Sequence, residues 1–239
     1  MKITIDQIRK HYRKAHVLSG VSFSAQSGMM VGILGKNGCG KSTLLSILAG
    51  TLRADSGAFL CDKEDGSSRT ADLLKDHALS SRMIGYVPQS PPLLDELSAL
   101  DNLRLWYTGG RRVLDRELEV GILKDLKITE FLHKNVRSLS GGMKKRLSIG
   151  CALANHPSIL LLDEPGAALD LTAKEMIVRY LDHFCKNGGI VLIATHERTE
   201  IEACSRTFIL RGGIAVPYRF DGDMQQLATQ LELERSAEQ

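Results

Sequence analysis

Residues 30–43 read MVGILGKNGCGKST, an apolar run followed by a glycine-rich turn and then by lysine, serine and threonine. The continuous apolar run is typical of a β-strand that is covered on both faces. The segment GKNGCGKST (35–43) fits the spacing G-x-x-x-x-G-K-S/T, and KSTLLSILAG (41–50) has a helical pattern. This order of strand, turn and helix predicts a phosphate-binding loop; a plain glycine turn is the alternative.

Each residue type in this loop has a chemical reason to be there. Glycines at 35, 38 and 40 let the backbone curl so that successive N–H groups point at phosphate oxygens. Lys41 brings a positive charge to the β- and γ-phosphates of a nucleotide, and Ser42 offers a hydroxyl to Mg²⁺. The predicted phosphate contacts are Gly35, Asn37, Gly38, Cys39, Gly40, Lys41, Ser42 and Thr43.

Further apolar runs of strand length alternate with helical patterns along the chain. The runs are MIGYVP (83–88), ILLLD (159–163), IVLIATH (190–196) and TFIL (207–210), and the helical patterns lie at 141–154 and 172–186. This alternation predicts an α/β fold with a mainly parallel sheet. Near the N-terminus, ITIDQI and VLSGVSFSA alternate apolar with polar residues, which predicts antiparallel strands at one edge.

The strand pattern disappears between about residues 90 and 138, where 97–107 and 114–126 have helical spacing. We therefore predict a nucleotide-binding core formed by residues 1–89 and 157–220. An α-helical lobe, residues 90–156, is inserted into it, and residues 221–239 form a polar tail.

The composition, with 43% hydrophobic and 25% charged residues in 239, is typical of a soluble globular protein. No stretch approaches the roughly 18 to 20 apolar residues that span a bilayer, so we expect a cytoplasmic protein. The five cysteines lack C-x-x-C pairing, which argues against zinc. The net charge is +3, and the basic clusters Arg111-Arg112 and Lys144-Lys145-Arg146 are short, so we predict solvated helix faces and no nucleic-acid partner.

Polar residues follow two of the predicted strands. ILLLDEP (159–165) ends in Asp163 and Glu164, and IVLIATH ends in His196. Ligands of an open α/β sheet lie beyond the carboxyl ends of its strands, so Asp163 is predicted to hold Mg²⁺ beside the phosphate loop. Glu164 is then placed to accept a proton from an attacking water. An acidic pair without chemistry is the alternative, and a lone histidine is more often structural.

Taken together, the motifs of this chain resemble, in order and spacing, those of the ATP-binding subunit of ATP-binding cassette (ABC) transporters over residues 1–215. The match comprises Tyr12, GKNGCGKST, YVPQ ending at Gln89, LSGGM (139–143), ILLLDEP, AALD ending at Asp170, and THE containing His196. The resemblance implies the P-loop NTPase cassette fold, ATP and Mg²⁺ as ligands, and hydrolysis of ATP to ADP and phosphate.

In that family two subunits associate head to tail, and the Ser-Gly-Gly segment of one covers the γ-phosphate of ATP in the P-loop of the other. Ser140, Gly141 and Gly142 are implied to play this part. A helix N-terminus and charge-assisted hydrogen bonds are a sufficient physical basis, because both act only when the γ-phosphate is present. The resemblance therefore explains why one chain carries a second anion site.

The resemblance also implies roles for five further residues. Tyr12 would stack on adenine, and Gln89 would sense Mg²⁺ and the attacking water while contacting the membrane partner. Glu164 would be the catalytic base, His196 the γ-phosphate switch, and Asp170 a cross-dimer contact.

The function implied is that of an ATPase that pairs with a second ATP-binding subunit and drives separate transmembrane permease subunits. We expect export, and a position on the inner face of the cell membrane. One alternative is a soluble ABC ATPase acting in DNA repair or translation. Repair proteins carry a long coiled coil between P-loop and signature, and translation factors carry two cassettes in one chain; this chain has neither feature. Another alternative is a regulatory cassette without hydrolysis, which the presence of Glu164 and His196 disfavours.

Overall fold

The computed structural model of the chain describes residues 1–13, 15–62, 70–90, 92–107, 110–167 and 169–232. Its strands are β1 (Lys2–Tyr12), β2 (Ala15–Gln26), β3 (Met30–Leu34), β4 (Ser56–Asp62), β5 (Thr70–Asp72), β6 (Ile84–Val87), β7 (Ile159–Asp163), β8 (Ile190–Ala194), β9 (Arg206–Arg211) and β10 (Ile214–Tyr218). Its α-helices are α1 (Lys41–Leu48), α2 (His77–Met83), α3 (Ala99–Trp106), α4 (Arg111–Glu119), α5 (Ile122–Asp125), α6 (Gly141–Ala152), α7 (Leu171–Lys186), α8 (Arg198–Ala203) and α9 (Met224–Glu232). Short 3₁₀ turns lie at Ile128–Phe131 and Val136–Ser138.

The main sheet has the strand order β10-β9-β3-β8-β7-β6. All of its neighbouring pairs are parallel except β9 with β10. Every residue of β3, β7 and β8 is buried, because helices or other strands cover both faces of the sheet. The predicted α/β fold with a mainly parallel sheet is confirmed.

The N-terminal strands form a sheet of their own. They pair antiparallel in the order β2-β1-β4-β5, a four-stranded sheet rather than a simple edge of the main one. Its apolar face packs on the main sheet, where the rings of Phe23 and Phe208 have centroids 4.9 Å apart. Burial of this face explains the alternating pattern of the two N-terminal segments.

Two apolar cores lie on opposite faces of the main sheet. Leu161 and Leu192 face the core shared with the antiparallel sheet and α1, whereas Leu160 and Leu162 face the core shared with α3, α5, α6 and α7. Helix α9 adds a smaller contact in which Leu227 is buried among Leu34, Ile201 and Ile209. Parts of the predicted helical lobe (91, 108 and 109) and tail (233–239) lie outside the described residues.

The strand order brings four functional segments to one edge of the sheet. The carboxyl ends of β3, β8, β7 and β6 are successive neighbours, and each precedes a segment singled out in the sequence. The topology therefore gathers the phosphate loop, His196, Glu164 and Gln89 at a single crevice.

Candidate ATP-binding and catalytic site

The phosphate loop joins β3 to α1 and needs glycine for steric reasons. Gly40 has φ 108°, and a β-carbon there would lie 2.9 Å from Val17 Cγ1 and 3.2 Å from the Val17 carbonyl oxygen. The buried Lys41 ammonium donates to the carbonyl oxygens of Gly35, at 2.7 Å, and of Lys36, at 3.0 Å. The first turn of α1 has no acidic residue, and no side chain of the described residues caps it, so its N–H groups suit an anion.

A cation site fits beside this loop. Asp163 is only 2% exposed, and among the described residues its Oδ1 has no hydrogen-bond partner. Burial raises the pKa of Asp163, and a hydrogen bond with the exposed Ser42 opposes the rise. A buried carboxylate oxygen without a partner costs free energy, which a bound cation recovers. Carboxylate and hydroxyl oxygens are also the ligands that Mg²⁺ prefers, so the residues present fit this metal.

Glu164 is the centre of a cluster formed by three strand ends. Its Oε2 accepts a hydrogen bond from Gln89 Nε2 at 3.2 Å, and its Oε1 lies 3.6 Å from His196 Nδ1. The Glu164 backbone has φ 48°, which is uncommon for a non-glycine residue, and its N–H donates to the Ala194 carbonyl at 2.9 Å. Strained backbone of this kind clusters at functional sites, where the surrounding structure holds it.

The LSGG segment begins a different helix. Ser140 caps α6 by accepting a hydrogen bond from the Met143 N–H at 3.3 Å. Gly141 is exposed, and a β-carbon added there would meet no atom of a described residue within 4 Å. The first turn of α6 contains no acidic residue. This helix start is therefore an open, electropositive surface.

Two other predicted residues have local contacts that the sequence did not suggest. Asp170 is exposed and caps α7 by accepting from the Ala173 N–H at 2.8 Å. Tyr12 is 45% exposed at the end of β1, with Lys10 Nζ 5.5 Å from its ring centre. Both side chains are exposed and so accessible to a ligand. Their local contacts do not test their implied roles in ATP binding, which stay predictions.

Lys145 corrects an expectation from the sequence. We predicted that Lys144, Lys145 and Arg146 form a solvated face, but Lys145 is only 5% exposed. Its Nζ donates to the carbonyl oxygens of Pro88 at 3.3 Å and of Gln89 and Asp163 at 3.4 Å. Burial lowers the pKa of Lys145, and the negative charge of Asp163 is the main opposing influence.

The position of Lys145 was detectable in the helical spacing. It lies three and four residues before Ser148 and Ile149, which are both buried, and so on the inward face of α6. The prediction of a solvated basic cluster did not take into account that its three residues lie on different sides of the helix.

Glu200 is a second buried charge that sequence reasoning missed. It is 0% exposed, and its Oε2 accepts from the Thr195 hydroxyl at the end of β8. The Thr195 Oγ1 in turn accepts from the Glu197 N–H at 2.9 Å, beside His196. Burial raises the pKa of Glu200 to about 7, and the Thr195 hydrogen bond opposes the rise. The buried Glu200 carboxyl group therefore contacts, through Thr195, the loop that carries His196.

An apolar cavity of about 510 Å³ lies next to the catalytic cluster. It is lined by residues of α1, β6, α3 and α6, among them Tyr86, Pro88, Leu93 and Cys151. Trp106 stands at this cavity with 42% of its surface exposed. Within the part of the chain that the structure describes, no helix has the length and apolar character to cross a membrane.

Comparisons with known proteins agree with this geometry. A family profile described as "ABC transporter" matches residues 18–167. The lipopolysaccharide export system ATP-binding protein LptB of Escherichia coli (strain K12) is 35% identical over 215 residues, which are 88% of this chain and 87% of that protein. The Nod factor export ATP-binding protein I of Ralstonia nicotianae is 32% identical over 88% of this chain and 64% of its own length. The spermidine/putrescine import ATP-binding protein PotA of Protochlamydia amoebophila is 34% identical over 97% of this chain.

The chain covers 58% of the length of PotA and 64% of the length of the Nod factor export protein, which is less than two thirds of each. A solved dimeric bacterial ABC transporter cassette has a TM-score of 0.75 and 30% identity, over 89% of this chain and 96% of that chain. A solved dimeric cassette in a post-hydrolysis state, bound to ADP and Pi, has a TM-score of 0.75 and 28% identity. That match also covers 89% of this chain and 96% of that chain. The predicted resemblance and fold are confirmed, and the chain belongs to the ABC transporter family as one of its ATP-binding cassettes.

Proposed function

We propose that the chain binds ATP with Mg²⁺ and hydrolyses it as a head-to-tail dimer that drives transport through separate membrane subunits. The observation that carries this proposal is the division between two anion sites. The phosphate loop lies in one crevice with Gln89, Glu164 and His196 and leads into α1, whereas the second open helix start belongs to a different helix, α6. A second copy placed head to tail would bring its α6 to the ATP held by the first.

We infer the nucleotide contacts from the loop motif and the family resemblance. Tyr12 stacks on adenine, and the phosphates lie on the loop formed by Gly35, Asn37, Gly38, Cys39, Gly40, Lys41, Ser42 and Thr43. Ser42, Asp163 and Gln89 would hold Mg²⁺, which would supply positive charge to offset that of the phosphates. The partner subunit supplies its signature segment, Ser140, Gly141 and Gly142, together with its Asp170.

The catalytic step uses the carboxylate held at the end of β7. Glu164 accepts a proton from the attacking water at one of its oxygens, and the Gln89 amide orients both that water and the carboxylate. His196, 3.6 Å from Glu164 Oε1, donates to the γ-phosphate. The fixed backbone at φ 48° holds Glu164 in position without reorganisation during the reaction.

The membrane subunits dock on the 510 Å³ apolar cavity between the sheet and α3 and α6. An exposed tryptophan beside an apolar cavity is the type of residue that dominates protein interfaces. Because Pro88 lines this cavity and Gln89 follows it, the docked segment contacts the chain next to the catalytic cluster. We place the protein on the inner face of the membrane and propose export, which the names of two of the three relatives support.

Trapping of the dimer tests the proposal. Glu164→Gln is expected to lower kcat by about 100- to 10,000-fold while ATP affinity stays within about twofold, since it removes only the base. With ATP and Mg²⁺ this variant should elute as a dimer in size-exclusion chromatography with light scattering.

A second variant separates the two anion sites. Gly141→Glu has room in the monomer, and its charge suits a helix N-terminus but repels a γ-phosphate. The double variant Glu164→Gln/Gly141→Glu should bind ATP yet remain monomeric, with Glu164→Gln/Gly141→Gln as the neutral control. ATP-bound Glu164→Gln that stays monomeric, or an unaffected dimer with Gly141→Glu, would contradict the proposal.

A further inference from the structure

We propose that Lys145 is a positioning residue that fixes Gln89 against Glu164 and ties this catalytic pair to the signature helix α6. The inference rests on the proposed function, because it concerns how the site that contacts the partner's ATP communicates with the site that hydrolyses its own.

The contacts of the Lys145 ammonium carry the inference. Lys145 lies on α6, in the second turn after Ser140. Among the described residues its acceptors are the main-chain oxygens of Pro88, Gln89 and Asp163. Strand β6 ends at Val87 and β7 at Asp163, so all three oxygens belong to the carboxyl ends of neighbouring strands. An ammonium group has three N–H donors, and here each acceptor can take one.

These contacts bear directly on the catalytic geometry. Lys145 binds the backbone of Gln89, whose side chain donates to Glu164 at 3.2 Å, and the backbone of Asp163, which immediately precedes Glu164. The spacing between the amide and the carboxylate is therefore set by two main-chain segments that share one cation. A displacement of α6 moves the ammonium and alters that spacing.

The neighbouring lysine provides the contrast. Lys144 is partly exposed and forms an ion pair with Asp95 at 3.0 Å, a contact that does not reach the strand ends. Exposed pairs of this kind contribute little to stability. Two adjacent lysines on one helix thus differ in burial and partners while sharing charge, length and helical context, and Lys144 is a matched control.

The test compares Lys145→Met, Lys145→Gln and Lys144→Met in the full chain. Methionine keeps the length of the side chain but removes every donor, whereas the glutamine amide retains two. We expect Lys145→Met to lower kcat by about 10- to 100-fold, because small displacements of catalytic groups have effects of this size. ATP affinity, measured by titration with a fluorescent ATP analogue, should stay within about twofold, because the phosphate loop is untouched.

The expected order of kcat is wild type and Lys144→Met highest, Lys145→Gln intermediate and Lys145→Met lowest. In the Glu164→Gln background, Lys145→Met should also raise the protein concentration needed for the ATP-bound dimer. A Lys145→Met kcat equal to that of Lys144→Met would overturn the inference. The inference would also be overturned if Lys145→Met lost kcat and ATP affinity together and Lys145→Gln recovered neither. That result would indicate a general structural role for Lys145.

If Lys145→Met fails to fold, Lys145→Gln decides alone: a lower kcat with retained ATP affinity supports the inference, and an unchanged kcat overturns it. The failures of the two proposals are distinguishable. A wild-type chain that neither hydrolyses ATP nor dimerises as Glu164→Gln overturns the proposed function and this inference with it. A wild-type chain that does both, with Lys145→Met indistinguishable from it, overturns only the role of Lys145.

Discussion

Replacement of Glu200 by glutamine is expected to stabilise the fold, and more so at alkaline pH. The carboxyl group is fully buried, with one oxygen bound to the Thr195 hydroxyl, and the backbone of Gly166 also opposes the rise of its pKa. Burial raises its pKa from 4.5 to about 7, so the folded state holds this proton more tightly than the unfolded state does. Glutamine keeps an oxygen for Thr195 and carries no charge.

The sign and size follow from that pKa. The stabilisation linked to the proton is fully present below pH 4.5 and is lost as the pH rises through about 7. The complete loss corresponds to about 3 kcal/mol, of which about 1 kcal/mol has already occurred near pH 5.5. Between about pH 5.5 and about pH 8.5, wild type should therefore lose roughly 2 kcal/mol relative to Glu200→Gln.

Urea denaturation followed by circular dichroism at the two pH values measures this difference. Glu202→Gln is the matched control, because that carboxylate is exposed and paired with Arg198 on the same helix. The reasoning is refuted if the free energies of unfolding of wild type and Glu200→Gln differ equally at both pH values, or if the gap widens toward acid.

Three further predictions concern ligands and partners. A maleimide reagent should inhibit hydrolysis by modifying the half-buried Cys39 of the phosphate loop, and bound ATP should protect; inhibition that ATP leaves unchanged, or that persists in Cys39→Ala, would count against this site. Asp163→Asn should remove the extra thermal stabilisation that Mg²⁺ gives to the ATP-bound protein, which amounts in wild type to about 2.7 kcal/mol at a hundredfold excess over Kd; a scanning-fluorimetry shift with Mg²⁺ equal to that of wild type would exclude Asp163 as a ligand. Trp106→Ala should weaken co-purification with membrane subunits by about 10-fold or more while the ATPase activity of the isolated chain stays within about twofold, and unchanged co-purification would argue against the cavity as their docking site.

The sequence was sufficient for features that depend on local pattern. Continuous apolar runs predicted β3, β7 and β8, and the helix after the phosphate loop begins at Lys41 as expected. A topological rule predicted that Asp163 and Glu164 lie beside the phosphate loop, since parallel strands present their carboxyl ends at one edge. Gln89, which donates to Glu164, was singled out only by the family resemblance.

Features that depend on tertiary contacts were not accessible in the same way. The pairing of β1 with β4 into a separate sheet joins segments about fifty residues apart, and no local pattern specifies that partner. Helical spacing can place Lys145 on the inward face of α6, but the carbonyl oxygens that accept from it lie at the ends of distant strands. The partner of Glu200 is the Thr195 hydroxyl only five residues away, and no local pattern shows that this pair is buried. The helix cap formed by Asp170 was missed because α7 begins at Leu171, one residue before the helical pattern that was read from the sequence.

The central claim is that each active site is composed of residues from two copies of the chain. The most direct measurement is the specific ATPase activity as a function of protein concentration, with the oligomeric state followed in parallel by light scattering. The account predicts a specific activity that falls in proportion to concentration once the protein is mostly monomeric. A monomeric preparation that hydrolyses ATP at an undiminished specific rate on further dilution would contradict it.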